Sequence, residues 1–271
     1  MGFQEQALKL FLTEDEKEAM TLTESLNKYN KERQDTEKEI FMQAIEKIEQ
    51  EEITDAIVLG DERWHHGVIG IVASKITEMY FKPSILLCFE EENGKGSGRS
   101  IPGFDLYEAL YNTSEYLEKY GGHAMAVGLS LKKEKFNEFK EAFIQYTKKK
   151  NIKDIASIIH IDKQINLKDI DIKTVKELQM LEPFGEANEM PIFCYRNLKI
   201  DSIRTLTEGK HLKLTLKDGN TLINAIGFNM GKLAEDYLIG DKVDVVGTLE
   251  INTFNGYESV QINLKDMMKT V

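Results

Sequence analysis

Apolar residues recur at helical spacing over two stretches near the N-terminus: Ala19, Leu22, Leu26 and Tyr29, then Ile40, Phe41, Ala44, Ile45 and Ile48. Ahead of them Thr13-Glu14-Asp15-Glu16 has the form of a capping box, in which the threonine and the glutamate three residues on satisfy free N–H groups at a helix start. Asn30 to Glu39, between the two stretches, is uniformly polar. The stretch from Thr13 to about Glu52 reads as helix, and an uninterrupted helix of ~35 residues would span ~50 Å at about 1.5 Å per residue, as a strut with amphipathic ends. Two surface helices with a break near Asn27 to Asn30 fit the same pattern.

From Thr54 to about Lys149 strand-like and helix-like patterns alternate. Ala56 to Gly60 reads as a short buried strand, and Val68 to Tyr80 as a helix with Val68, Ile71, Val72, Ile76 and Met79 inward, ended by Pro83. Ser84 to Phe89 is the next strand, and Lys95 to Ser100 lies in or beside another. Leu106 to Tyr120 reads as a helix that stops at Gly121 as a C-cap. Ala124 to Leu131 forms the last strand before a Lys- and Glu-rich helix over 133–149. Such alternation implies a sheet covered by helices.

Beyond a boundary at Lys150 to Lys153, a short helix is expected over Thr174 to Leu181. Five strands follow: Lys199–Arg204, Leu212–Leu216, Thr221–Gly227, Lys242–Leu249 and Ser259–Leu264, with a helix over Met230 to Tyr237. Turn signals at Glu208-Gly209, Asp218-Gly219-Asn220, Gly240-Asp241 and Asn255-Gly256 separate them. Five short strands with a helix between the third and fourth match an oligonucleotide-binding (OB) type barrel. The expected organisation is a helical connector (1–52), an α/β domain (53–150) and an all-β OB-type barrel domain with a lead-in helix (151–271).

Composition narrows the function classes. No apolar run reaches membrane-span length and no signal pattern opens the chain, which points to the cytoplasm. Cys88 and Cys194 sit in apolar, strand-like surroundings and read as buried free thiols, consistent with a reducing compartment. The formal net charge of −11 argues against a protein that wraps a polyanion over its whole surface. It leaves room for a local basic groove, because Glu14–Glu18 and Glu49–Glu52 fall on helices while Lys95, Arg99, Lys210 and Lys213 fall in loops or strands.

Two segments have the composition of anion-gripping loops: Lys95-Gly96-Ser97-Gly98-Arg99-Ser100 and Gly121-Gly122-His123. Glycines permit close backbone approach, while serine hydroxyls and the arginine fork donate to phosphate oxygens. Taken singly, the first also fits a polar hairpin turn and the second a helix C-cap. His65-His66 precedes a helix whose N-terminal dipole end favours anions, and His66 is the candidate to line a site there. In the barrel, Phe254 and Tyr257 sit at or beside a hairpin tip, with Arg204, Lys210 and Lys213 as basic companions. Such a set would stack bases and neutralise a backbone; the aromatics could equally cover the barrel end.

These segments occur in one order with Trp64-His65-His66-Gly67-Val68-Ile69-Gly70, Ile101-Pro102-Gly103-Phe104-Asp105-Leu106, Ala124-Met125-Ala126-Val127-Gly128 and Leu181-Glu182-Pro183-Phe184-Gly185. The set resembles the DHH-associated domain of the DHH phosphoesterase superfamily, and within it the RecJ family of single-strand-specific 5′→3′ DNA exonucleases used in repair and recombination. The resemblance implies that a long helix joins the associated domain to a metal domain, which favours the strut. It implies that Ser97, Arg99 and Ser100 meet the DNA backbone near its 5′ end, and that Gly121, Gly122 and His123 face a metal site. The family's Asp-His-His motif has no match: Trp64 precedes His65-His66, and His123, His160 and His211 are scattered. The chain therefore looks like the C-terminal, substrate-binding part of such a nuclease, inactive alone, with single-stranded DNA and a missing or separate Asp-His-His domain as partners. No metal is expected here, manganese or magnesium being required by the complete enzyme. Two other classes stay open: an OB-type module that binds a partner protein, and a fragment of an oligoribonucleotide or cyclic-dinucleotide phosphodiesterase. The barrel counts against the second.

Overall fold

The computed structural model describes residues 4–51, 54–152, 155, 158–254 and 256–270. The expected boundary positions 52, 53 and 153 and the hairpin residue Asn255 lie outside these. Two compact units are present, Met1–Ser157 and Ile158–Val271.

The first unit opens with α1 (Gln4–Leu12) and α2 (Glu16–Gln50). The long helix is unbroken, so the two-helix alternative does not hold. Its cap also differs from the expected box: Asp15, not Thr13, is the N-cap, its carboxylate accepting from the Lys17 and Glu18 amides at 2.9 and 3.4 Å. Thr13 instead donates to the Glu18 carboxylate in the turn between the helices. Helix α1 lies ahead of the expected helix start and has no counterpart among the expected elements. It is short, and Ser25 and Glu18 of α2 hold it through Gln6 and Lys9.

A five-stranded sheet follows, in the order β1 (Ile57–Asp61), β2 (Ser84–Glu90), β3 (Asn93–Arg99), β5 (Ala126–Lys132), β4 (Lys119–His123). Only β1–β2 is parallel. Helices α2 and α3 (His66–Tyr80) cover one face around Ile40, Ala44, Ile57, Leu59, Val72, Ile76 and Leu86. Helices α4 (Leu106–Asn112) and α5 (Phe136–Lys149) cover the other around Val58, Ile85, Leu87, Leu110, Leu129, Phe139 and Phe143. Each aliphatic or aromatic side chain so buried contributes about 1.5–3 kcal/mol. Cys88 and Cys194 are free and buried, as expected, and burial pushes the Cys88 thiol above its ordinary value.

Two helix expectations need correction here. The inward stripe of α3 is Val68, Ile69, Val72, Ala73, Ile76 and Thr77, whereas Ile71 and Met79 are exposed. Phe81, in the left-handed region at φ 48°, ends that helix before Pro83. The helix expected over Leu106 to Tyr120 stops at Asn112; a 3-10 turn (Ser114–Tyr116) leads into β4, so Gly121 lies inside an edge strand and is not a helix cap. The residues Tyr116, Leu117 and Tyr120 keep apolar spacing because they pack under the α4/α5 core, which mimics a helical stripe.

The second unit is a closed barrel. After β6 (Lys163–Gln164) and α6 (Ile172–Gln179), strands β7 (Phe193–Leu206), β8 (His211–Asp218), β9 (Thr221–Gly227), β10 (Lys242–Phe254) and β11 (Tyr257–Lys269) pair as β10-β11-β9-β8-β7, and β10 returns to β7. Parallel β9–β11 pairing and antiparallel closure of β7 on β10 give the OB arrangement. Inward positions such as Leu212, Leu214, Leu216, Val243, Val245 and Ile262 fill the interior. The helix expected over Met230 to Tyr237 is a 3-10 segment of five residues, Gly231–Glu235. No described helix is long and apolar enough to cross a membrane.

Candidate nucleic-acid interface

The Lys95–Arg99 segment alternates with the period of a strand, and β3 uses that period. Gly94, Gly96 and Gly98 point at the α4/α5 core: a Cβ at Gly96 would lie 2.8 Å from Leu129 Cδ2, and one at Gly98 2.8 Å from Val127 Cγ2. These glycines exist for packing, and none has positive φ. The expectation of a phosphate-cradling loop is corrected on this point. What the glycines release is the opposite face, where Lys95, Ser97 and Arg99 stand in a row along β3.

Register carries that face across three strands. Ser97 pairs with Gly128, and Gly128 with Gly121. Arg99 pairs with Ala126 and Ala126 with His123; Lys95 pairs with Ser130 and Ser130 with Lys119. Because paired residues share a face, the result is a shelf with Arg99 and His123 at one end, Lys95, Ser130 and Lys119 at the other, and a glycine floor between. A Cβ at Gly121 or Gly128 would meet nothing within 4 Å, so the floor is open. Helix α3 forms the wall. It comes close through Gly70, whose added Cβ would lie 3.0 Å from Ser97 Oγ and 3.3 Å from Arg99 Nη2.

Arg99 is half-buried, and its Nη1 donates to Ser97 Oγ at 3.1 Å and to the Gly98 carbonyl at 2.8 Å. No described carboxylate pairs with it. The guanidinium is thus oriented by neutral acceptors and keeps donors for an anion. Ser100 is turned away: it is buried and its hydroxyl donates to the Phe104 carbonyl at 2.7 Å, which holds the 101–104 turn. Its hydroxyl does not face the shelf, contrary to the expected contact.

Gly122 has φ +139°, and an added Cβ would stand 2.2 Å from the Ala126 carbonyl oxygen. The bend it permits presents His123, which is exposed and whose Nδ1 accepts from the Met125 amide at 3.3 Å. His65, not His66, caps α3, its Nδ1 accepting from Gly67 N at 3.0 Å, and the two imidazoles stack at 4.8 Å. His66 is exposed and its Nδ1 lies 3.6 Å from Glu90, which also pairs with Lys95 at 3.2 Å. His66 therefore joins the Lys95 end of the shelf through Glu90, whose carboxyl Lys95 holds below the usual range, helped by the two histidines. Lys119, Gly128, Ser130 and Gly70 were given no site role from sequence, although Gly70 and Gly128 lie in the segments that carry the family resemblance. For the three strand residues the signal was period-2 alternation, and pairing register gathers them; Gly70 joins them because α3 packs against β3.

In the barrel, Arg204 and Lys213 are cross-strand partners, and Lys210 is exposed in the β7–β8 turn. Phe254 and Tyr257 pair at the β10–β11 hairpin, 70% and 81% exposed, so they do not cover the barrel end. A hydrogen-bonded row, Ser202 to Thr215 to Asn224, crosses β7, β8 and β9 on their outer side. Among the described residues no three His, Cys, Asp or Glu side chains converge to hold a metal ion.

Two family models match the chain, the DHHA1 domain over residues 34–149 and the RecJ OB domain over residues 161–266. The single-stranded-DNA-specific exonuclease RecJ of Bacillus subtilis is 34% identical over 265 residues, which are 96% of this chain and 34% of the relative. RecJ of Thermus thermophilus is 31% identical over 99% of this chain and 38% of its own length. The crystal structure of the Thermus thermophilus RecJ in complex with Mg2+ superposes with a TM-score of 0.81 at 30% identity, covering 98% of this chain and 41% of that one. A second crystal structure of that protein is a complex with Mn2+. The chain spans between about a third and a half of the length of the RecJ relatives it matches over nearly all of its own length.

Proposed function

Since the chain belongs to the RecJ family, we propose that it is a substrate-binding part of a single-strand-specific 5′→3′ exonuclease. The β3–β5–β4 shelf holds the 5′-phosphorylated end of a single strand, and the barrel stacks unpaired bases. The observation that carries this reading is Arg99: half-buried, oriented by Ser97 and Gly98, unpaired with any described carboxylate, and set beside an open two-glycine floor. A planar fork in that position grips a terminal phosphate bidentately and fixes its register, and the floor admits the backbone without side-chain obstruction. Orientation of this kind converts an encounter into a positioned substrate.

In this reading metal-dependent hydrolysis is carried out elsewhere in the complete enzyme, and it is supported by the described residues offering no group of three His, Cys, Asp or Glu side chains to hold a divalent ion. The role of this chain is to place the strand. A barrel that docks a partner protein is the competing reading, favoured by the net charge of −11; the exposed aromatic pair at the β10–β11 hairpin and the separate Arg204–Lys213 pair support nucleic acid instead.

Fluorescence anisotropy with short 5′-phosphorylated and 5′-hydroxyl strands tests both sites. The parent should prefer the 5′-phosphate, and Arg99→Ala should lose about 1.5–3 kcal/mol of that preference. Arg99→Lys should not rescue it, because an ammonium lacks the planar fork. Phe254→Ala with Tyr257→Ala should weaken long strands whatever their 5′ end, by about 1–3 kcal/mol per lost stack. A parent with no 5′-phosphate preference, or an Arg99→Ala variant that keeps it, refutes the shelf assignment. Absence of single-strand binding at low salt transfers the barrel to the partner-protein reading.

A further inference from the structure

Three lysines stand side by side on the barrel, away from the residues the sequence pointed to. Lys242 of β10 pairs directly with Lys199 of β7, and Lys199 pairs with Lys217 of β8, both in antiparallel register. Directly opposed residues of an antiparallel pair share a face with Cβ atoms about 4.5–5.5 Å apart, and like charges so placed repel. None of the three forms an ion pair or a side-chain hydrogen bond with a described residue, although Asp201 and Asp218 border the same concavity with Asn197 and Gly219. In a chain with eleven more acids than bases, three adjacent unpaired ammonium groups form a local anion site.

A β-bulge aims this row. The β7–β8 register runs Lys199 to Lys217 and Ile200 to Leu216, then skips Asp201 and resumes at Ser202 to Thr215 and Arg204 to Lys213. Lys199 and Arg204 are five positions apart, so in a regular strand they would point to opposite sides. The extra residue Asp201 brings both to the outer side, as a bulge re-aims a strand. Ile200 stays inside, fully buried. The outer side of β7 and β8 thereby becomes a continuous track: Arg204 with Lys213, Ser202 with Thr215, then Lys199 with Lys217 and Lys242. Lys217 lies four residues along β8 from Lys213, about 13 Å, a run of more than one nucleotide step in an extended strand.

We propose that the Lys199–Lys217–Lys242 row is a backbone-phosphate subsite for single-stranded DNA, continuing the Arg204–Lys213 contact along β7 and β8. This rests on the single-strand reading of the barrel and adds a path to it. The hydroxyl and amide groups of Ser202, Thr215 and Asn224 lie between the two charged ends as neutral donors and acceptors.

The experiment uses the full chain and two labelled thymidine strands of about 6 and about 20 nucleotides, near the lower end of and above the span of roughly 4–16 nucleotides that one barrel takes. Anisotropy is read over a salt series. In the triple variant Lys199→Gln, Lys217→Gln, Lys242→Gln the long strand should bind roughly tenfold more weakly at low salt, and its log affinity against log salt should flatten by about 2, near 0.7 for each lost phosphate contact. The short strand should change little. The charge-keeping triple Lys→Arg variant should bind the long strand like the parent, which separates lost charge from misfolding. A control with the same charge removed from α2, Lys28→Gln, Lys31→Gln and Lys38→Gln, should also match the parent.

An unchanged salt slope in the lysine-row variant overturns the proposal while leaving the tip aromatics intact as a site. So does an equal loss in the α2 control, which would make the effect one of net charge. Loss of binding to a polyglutamate peptide with no loss for the long strand would assign the row to an acidic protein partner and overturn it as well. No binding of either strand by the parent overturns both this inference and the reading beneath it.

Discussion

Neighbouring glycines in β4 should respond oppositely to the same substitution. Gly122→Ala places a methyl 2.2 Å from the Ala126 carbonyl oxygen and 2.8 Å from Val127 Cα, at φ +139°. That backbone region costs a non-glycine residue about 1–3 kcal/mol. Relieving the overlap means parting β4 from β5 at the Gly122–Val127 pair, which gives up a ladder hydrogen bond of about 1 kcal/mol. A total of about 3 kcal/mol in a unit of this size lowers the melting temperature by roughly 6–12 °C. Gly121→Ala adds the same methyl where nothing lies within 4 Å and φ is not in the left-handed region. Its stability should stay within about 0.5 kcal/mol of the parent, or rise slightly, since glycine inside a strand carries an entropic penalty. The Gly121 methyl does stand on the shelf floor, so 5′-phosphorylated strands should bind it more weakly despite the intact fold. Thermal melts followed by circular dichroism, with hydrogen exchange on the β4 amides, separate the cases. A Gly122→Ala melt within about 2 °C of the parent, or a Gly121→Ala variant that falls as far as its neighbour, refutes the register and the shelf built on it.

Two further outcomes concern groups outside the shelf. The Tyr195 hydroxyl is buried in the barrel with no hydrogen-bond partner among the described residues, and burial pushes its ionisation well above the ordinary phenol value; Tyr195→Phe should stabilise the barrel by about 1 kcal/mol, seen as a higher urea midpoint, and a lower midpoint refutes the assignment. The Asp61 carboxyl is held well below the usual carboxylate range, first by hydrogen bonds from the Arg63 side chain, against the cost of burial, with Lys47 assisting at 3.2 Å. A carboxyl depressed in the folded state adds stability above its unfolded pKa of about 3.9 that is lost as pH falls toward the folded value. Asp61→Asn should therefore be less stable than the parent at neutral pH, with the difference shrinking below about pH 4; a difference constant across that range counts against the pairing.

Much of the architecture was legible from local pattern. Barrel strands announced themselves because each is bounded by a glycine turn and alternates between a filled interior and solvent, as Leu212, Leu214 and Leu216 do. The long α2 was visible in its apolar ends, and the family emerged from the order of its segments. Failures came where a short segment takes its state from what packs on it. Tyr116, Leu117 and Tyr120 looked helical and form a turn and an edge strand, because β5 offered a partner and the α4/α5 core offered burial. The segment around Ser97 and Arg99 read as lying in or beside a strand with the composition of an anion-gripping loop; its glycines are strand positions that face Leu129 and Val127 of the neighbouring strand.

Residue identity alone determined that Arg99, Ser97 and a glycine pair were available as chemistry, and that the barrel would carry aromatics at a hairpin. Only tertiary structure decided that Gly128, Ser130 and Lys119 join them, and that Ser100 turns inward. The same holds for Lys199, Lys217 and Lys242, which lie far apart in sequence and meet because β7 bulges at Asp201 and pairs on both sides. The reason is physical. A side chain's class and its local period are encoded within a few residues, whereas strand partners and register are set by the whole core finding its lowest-energy packing.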